Sequence, residues 1–83
     1  MAQVSTTQDI ETKSKQVIST LYGDVTDFRV NETFAMPEKG QREAWDVQVN
    51  FMLHELKYTV DLEIQEKSGE VTNARLIDTM TPL

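Results

Sequence analysis

Residues 45–64 read WDVQVNFMLHELKYTVDLEI. Apolar residues alternate with polar ones on both sides of a short reversal at His54-Glu55. Period-two alternation interrupted by a turn is the pattern of two half-buried antiparallel strands joined as a hairpin. A symmetric reversal pairs Leu53 with Leu56, Phe51 with Tyr58, Val49 with Val60, Val47 with Leu62 and Trp45 with Ile64. These side chains then share one face, and aromatic or β-branched cross-strand pairs each add roughly 0.2–1 kcal/mol. Neither His nor Glu readily takes positive φ, so a two-residue turn is disfavoured there, and a four-residue loop from Leu53 to Leu56 would keep the same register.

The polar face carries Asp46, Gln48, Asn50, Met52, Lys57, Thr59, Asp61 and Glu63. C-terminal to the hairpin, Lys67-Ser68-Gly69 reads as a three-residue turn with Gly69 at positive φ. A further strand runs from Val71 to Ile77 or beyond. Pairing around that turn places Ala74 beside Leu62, Leu76 beside Val60, and Arg75 opposite Asp61.

N-terminal to the hairpin, Asp24 to Ala35 reads as a strand. Parity groups Phe28, Val30 and Phe34 on one face, and Glu32 falls among them, which predicts a bulge or strand end. Met36 to Glu43 contains Pro37 and Gly40 and reads as a loop. Before it, Ile10, Val17, Ile18 and Leu21 recur on one helical face. Ser5, Thr6 and Thr7 offer N-cap hydroxyls, Ser5 and Gln8 have capping-box spacing, and Gly23 can end the helix. The expected architecture is α+β: one N-terminal helix packed on a four-stranded antiparallel meander of order 1-2-3-4. Residues 1–83 form one small domain, with 1–6 and 79–83 open to disorder.

The chain has 83 residues and no Cys. A domain this short buries roughly 60% of the surface its unfolded chain exposes, so its core is thin. Disulfides and thiolate metal sites are excluded. The net charge is −6, from 14 acidic and 8 basic residues. That balance disfavours binding to phosphate backbones, which needs clustered Lys and Arg. No apolar run is long enough to span a membrane, and the N-terminus lacks signal-peptide features, so a cytoplasmic, non-inserted protein is expected.

No residue set commands a reaction. Asp46, Asp61 and Glu63 are oxygen ligands of the kind hard cations take, but straight strands do not wrap six or more oxygens round an ion. A solvated face neutralised by Arg75 is the simpler reading. His54, the single histidine, sits at a hairpin tip with no pocket or positioned partner. The early Ser and Thr residues lack a base in catalytic spacing. No phosphate-cradling loop or dinucleotide fingerprint is present, and no cofactor or metal is expected. The expected function is therefore non-catalytic: an interaction or accessory module with a protein partner, a second copy of the chain included. Met36, Met52, Ile77 and Met80 are apolar residues outside the core face and are the candidate partner surface. The competing expectation is a small ligand-binding or enzymatic domain with a pocket between helix and sheet.

Trp45, Val47 and Val49, then Tyr58, Val60 and Leu62, then Gly69, Glu70, Val71 and Arg75 form a pattern of W-x-V-x-V, Y-x-V-x-L and G-E-V-x-x-x-R. It resembles the PepSY-like family of small α+β modules and the gas-vesicle accessory protein O family. The short His54-Glu55 turn departs from the longer connection of the latter. Both resemblances imply binding, inhibition or assembly in place of catalysis.

Overall fold

In a computed structural model, which describes residues 6–37 and 39–81, the hairpin adopts the expected register in full. Strand β2 spans Ala44–Leu53 and β3 spans Leu56–Gln65, with Val49 opposite Val60 and Trp45 opposite Ile64. Strand β1 covers Thr26–Met36 and β4 covers Val71–Met80; helix α1 covers Thr7–Tyr22. The sheet is antiparallel throughout, in order β1-β2-β3-β4. One helix followed by a four-stranded meander makes this a single small α+β domain. Among the described residues, no helix is long and apolar enough to cross a membrane.

The reversal at residues 54–55 is a two-residue turn, with φ of 51° at His54 and 67° at Glu55. Both lie in the left-handed region, which costs a side chain with a Cβ roughly 1–2 kcal/mol. The turn forms because Leu53 and Leu56 are paired from both sides, and positive φ at both central residues matches the twist of the strands. The expectation that such a turn is disfavoured is met with strain, not with a longer loop. We expect the double change His54→Asn, Glu55→Gly to stabilise the fold by about 1 kcal/mol or more, raising the melting temperature several degrees. An unchanged or lowered melting temperature would contradict the strained turn.

Helix α1 starts at Thr6, whose Oγ1 accepts from the Asp9 amide at 3.1 Å while the Thr6 amide donates to the Asp9 carboxylate at 3.2 Å. This capping box uses Thr6 and Asp9; the expected Ser5–Gln8 box involves Ser5, which lies outside the described residues. The helix ends at Gly23, φ 89°, whose amide donates to the Ser19 carbonyl at 3.0 Å.

The helix meets the sheet with three of the four residues its periodicity points to, Ile10 and Ile18 buried and Val17 partly buried against the core, while Leu21 lies outside the contact. Ile10, Ser14 and Ile18 are buried and Tyr22 continues the line, all at spacings of four. Rows of spacing four run obliquely to the helix axis. Leu21 therefore lies off the contact and is 57% exposed, against the expectation of a core position. Ser14 fills the middle of the row with its small side chain, and its buried Oγ has no hydrogen-bond partner.

The core sits between α1 and the centre of the sheet: Ile10, Ile18, Val47, Val49, Phe51, Val60, Leu62 and Ile64. The rings of Tyr22, Phe51 and Tyr58 form a triangle with centroids 5.1–5.7 Å apart. Strand β1 has register shifts between Thr26 and Arg29 and between Val30 and Glu32. The second is the bulge expected near Glu32, and it reverses facing beyond itself. Val30 lies opposite Val49, whereas Glu32 lies opposite Gln48 and Phe34 opposite Asp46. Phe34 thus belongs to the open face and not with Phe28 and Val30, and Glu32 is exposed on that same open face.

Strand β4 pairs Leu62 with Ala74, Asp61 with Arg75 and Val60 with Leu76, as expected. Gly69 has φ 70°, and the Gln65 amide donates to the Glu70 carbonyl at 2.8 Å, so the turn is one residue longer than three. A register shift between Glu63 and Ile64 restores the expected pairs. The strand runs on through Thr79 and Met80, which belong to the sheet and not to a frayed tail. It is exposed on both faces: every residue from Thr72 to Met80 is exposed, because α1 packs on β1 and β2 and leaves the β4 side uncovered.

Candidate functional site

The open face, turned away from α1, holds the polar residues of the hairpin. Its centre is knitted by side-chain hydrogen bonds. Asn50, only 7% exposed, donates from Nδ2 to Thr59 Oγ1 at 2.7 Å. Asn31 donates to Gln48 Oε1 at 2.9 Å. Glu63 Oε2 accepts from Thr72 Oγ1 at 2.9 Å and from Gln65 Nε2 at 3.3 Å.

Asp46 lies opposite Glu63 and Asp61 opposite Arg75, as the register predicts. The strongest coupling is diagonal, between Asp61 and Asp46. Burial raises the Asp61 carboxyl from an ordinary 3.8 to about 6, aided by a hydrogen bond with the Asp46 side chain and by the charges of Asp46 and Glu63. Arg75 opposes the rise without cancelling it. Asp61 is thus held on the strand face against Asp46 and Glu63, with Arg75 as the facing cation. Among the described residues, no three carboxylate or imidazole groups converge as metal ligands.

Because the folded carboxyl holds its proton more tightly than the unfolded one, the folded chain binds more protons between pH 3.8 and about 6. Stability from this group is therefore full at low pH and is lost as pH rises through about 6. We expect the melting temperature of the wild type to rise more, between about pH 7 and pH 5, than that of Asp61→Asn, which carries no titrating group there. Parallel pH profiles for the two proteins would rule this out.

The four candidate partner residues do not form one patch. Met52 and Met80 flank Lys57 in a single cross-strand row, near the 54–55 turn. Ile77 is the extra residue of a register shift in β4 and is 46% exposed. Met36 sits opposite Ala44, eight residues along β2 from Met52, or about 26 Å at the rise of a strand. Met36 instead neighbours Phe34, which is 49% exposed.

Two clefts open at the hairpin end. One of about 250 Å³ is lined by Asp27, Arg29, Asn50, Phe51, Met52 and Lys57. Another, of about 500 Å³, runs from Tyr22 and Asp24 to His54 and Glu55. His54 is exposed at its rim, where neither its own turn nor the cleft supplies a hydrogen-bonded orienting group in the described structure. At the opposite end, the Arg42 guanidinium stacks on the Trp45 ring, 4.2 Å from its centroid, and pairs with Glu66. This clamp ties the loop before β2 to the turn after β3. It left no periodic signal in the sequence, because Arg42 lies in a loop three residues from its ring.

No family model matches the chain. No curated protein or solved structure matches it closely enough to carry an argument. The geometry is therefore the ground for function.

What the geometry offers is a surface. Six large apolar side chains are exposed among the described residues, and five of them, Phe34, Met36, Leu76, Ile77 and Met80, lie on the two edge strands. Leu76 was not a candidate from sequence, because its parity places it on the helix-facing side and alternation cannot say how far a helix reaches.

Proposed function

We propose that this chain is a small non-catalytic interaction module that takes up a protein partner along β4. The observation that carries this reading is an edge strand of ten residues, exposed on both faces from Thr72 onward, with Leu76, Ile77 and Met80 uncovered. An unpaired edge presents free backbone N–H and C=O groups to another strand, and exposed apolar residues beside it add area to the contact. The close filling of the space between helix and sheet by Ile18, Val47, Val49, Phe51 and Leu62 supports this reading over a ligand pocket there. The acidic open face favours a protein over a nucleic acid.

The test uses two immobilised baits in lysate of the native cell: the wild-type chain and the double variant Leu76→Lys, Ile77→Lys. Both positions are about half exposed, so the two lysines leave the buried core untouched, and a circular dichroism melt of the variant checks that it is folded. The reading expects proteins held by the wild type and released by the variant. An identical captured set on both baits would remove β4 from the function.

A further inference from the structure

Edge strands that are not meant to be paired carry charges that repel an incoming strand. The charges on β4 have a different arrangement. Arg75 lies opposite Asp61 and Asp78 opposite Thr59, so both belong to the open face. They are three residues apart, not two, because the register shift between Thr59 and Val60 inserts an extra residue, Ile77, between Leu76 and Asp78. Ala74, Leu76 and Thr79 lie opposite Leu62, Val60 and Tyr58 and belong to the helix-facing side.

We propose that β4 pairs antiparallel with β4 of a second copy of this chain, in the register that sets Arg75 of each copy opposite Asp78 of the other. The proposal rests on the reading of the chain as an interaction module and names its partner. A two-fold axis perpendicular to the sheet brings like faces together, so partners must match in facing as well as charge. This register meets both conditions. Arg75 faces Asp78 twice, Ala74 faces Thr79 twice, and Asn73 faces Met80 twice. The extra residue on each strand falls at the axis, where Leu76 of one copy lies beside Ile77 of the other. Two other registers fail. Centring on Arg75 sets the two guanidiniums face to face, and centring on Ala74 sets Asp78 against Glu70. Like charges directly opposite are destabilising. The product is a continuous eight-stranded sheet with the exposed Leu76 and Ile77 gathered at its centre.

The chain has no native Cys, so single cysteines report cleanly on register. Ala74→Cys mixed with Thr79→Cys is expected to give a disulfide-linked dimer under mild oxidation, with far less from either variant alone. Light scattering after size exclusion is expected to show a wild-type dimer. Arg75→Asp and Asp78→Arg alone should each weaken it about tenfold or more, since each change sets like charges opposite one another twice. Mixing the two single variants should restore a one-to-one dimer, as should the double variant. If Arg75→Asp unfolds through its loss beside Asp61, the cysteine pair decides, because it leaves both charges in place. A wild-type monomer at every soluble concentration overturns the proposal. So does a dimer indifferent to charge reversal, or the absence of the mixed disulfide. In each of these cases the module reading stands or falls by its own capture test.

Discussion

Val49→Asp is expected to leave the chain unfolded at room temperature. Val49 is wholly buried at the centre of β2, between Val30 and Val60, on the face that α1 covers. The substitution places a carboxyl there with no cation facing it. An uncompensated buried charge or its protonated, half-satisfied form costs about 4 kcal/mol or more. A domain of this length has about 4–12 kcal/mol of stability at the usual 0.05–0.15 kcal/mol per residue. The loss therefore takes all of it at the lower end of that range and at least about a third at the upper end, and the thin core puts this domain toward the lower end. Gln48→Lys is the control. Gln48 is the adjacent residue on the open face, opposite Asp61, and a cation there meets an acidic neighbourhood. It should fold with a melting temperature near that of the wild type. Circular dichroism melts of the two variants test the facing of the whole hairpin. A cooperative Val49→Asp melt within a degree or two of the wild type, or an unfolded Gln48→Lys, would reverse the assignment.

That facing was legible because period-two alternation over two adjoining segments leaves one consistent register: a slip by one residue would turn Val47, Val49, Val60 and Leu62 to water. The legibility weakens wherever the period breaks. Glu32 announced the bulge in β1, yet the reversal of Phe34 beyond it follows only once the extra residue is placed. The acidic cluster was visible as types and parity. Its chemistry, a raised Asp61 coupled diagonally to Asp46, depends on burial that strand spacing does not report. Alternation likewise assigned Leu76 a face but could not show that the helix stops short of it. The candidate residues Met36, Met52, Ile77 and Met80 are spread over both ends of the sheet because parity sorts residues by face and says nothing of position along the strand. The Arg42–Trp45–Glu66 clamp had no period to betray it.

Phe51→Ala is expected to cost about 3–5 kcal/mol, the usual loss when a buried aromatic ring is truncated and its site cannot fully collapse. Phe51 is 1% exposed, stacked on Tyr58 at 5.3 Å and tilted against Tyr22 at 5.1 Å. Removing it leaves two tyrosine rings facing an empty site at the end of the core where α1 terminates. At roughly 4–8 °C per kcal/mol for a domain of this size, the melting temperature should fall by about 12 °C or more. The same triangle separates two orientations of the helix. With Tyr22 inside and Leu21 outside, Tyr22→Ala should also be strongly destabilising, whereas Leu21→Ala should shift stability by about 0.5 kcal/mol or less. A stripe through Ile10, Val17, Ile18 and Leu21 with Tyr22 at its edge demands the reverse order, because Leu21 would then be the core residue and Tyr22 the marginal one. Measured side by side in urea, the two alanine variants thus decide which row of α1 meets the sheet, and a larger loss at Leu21 would reject the oblique packing described here.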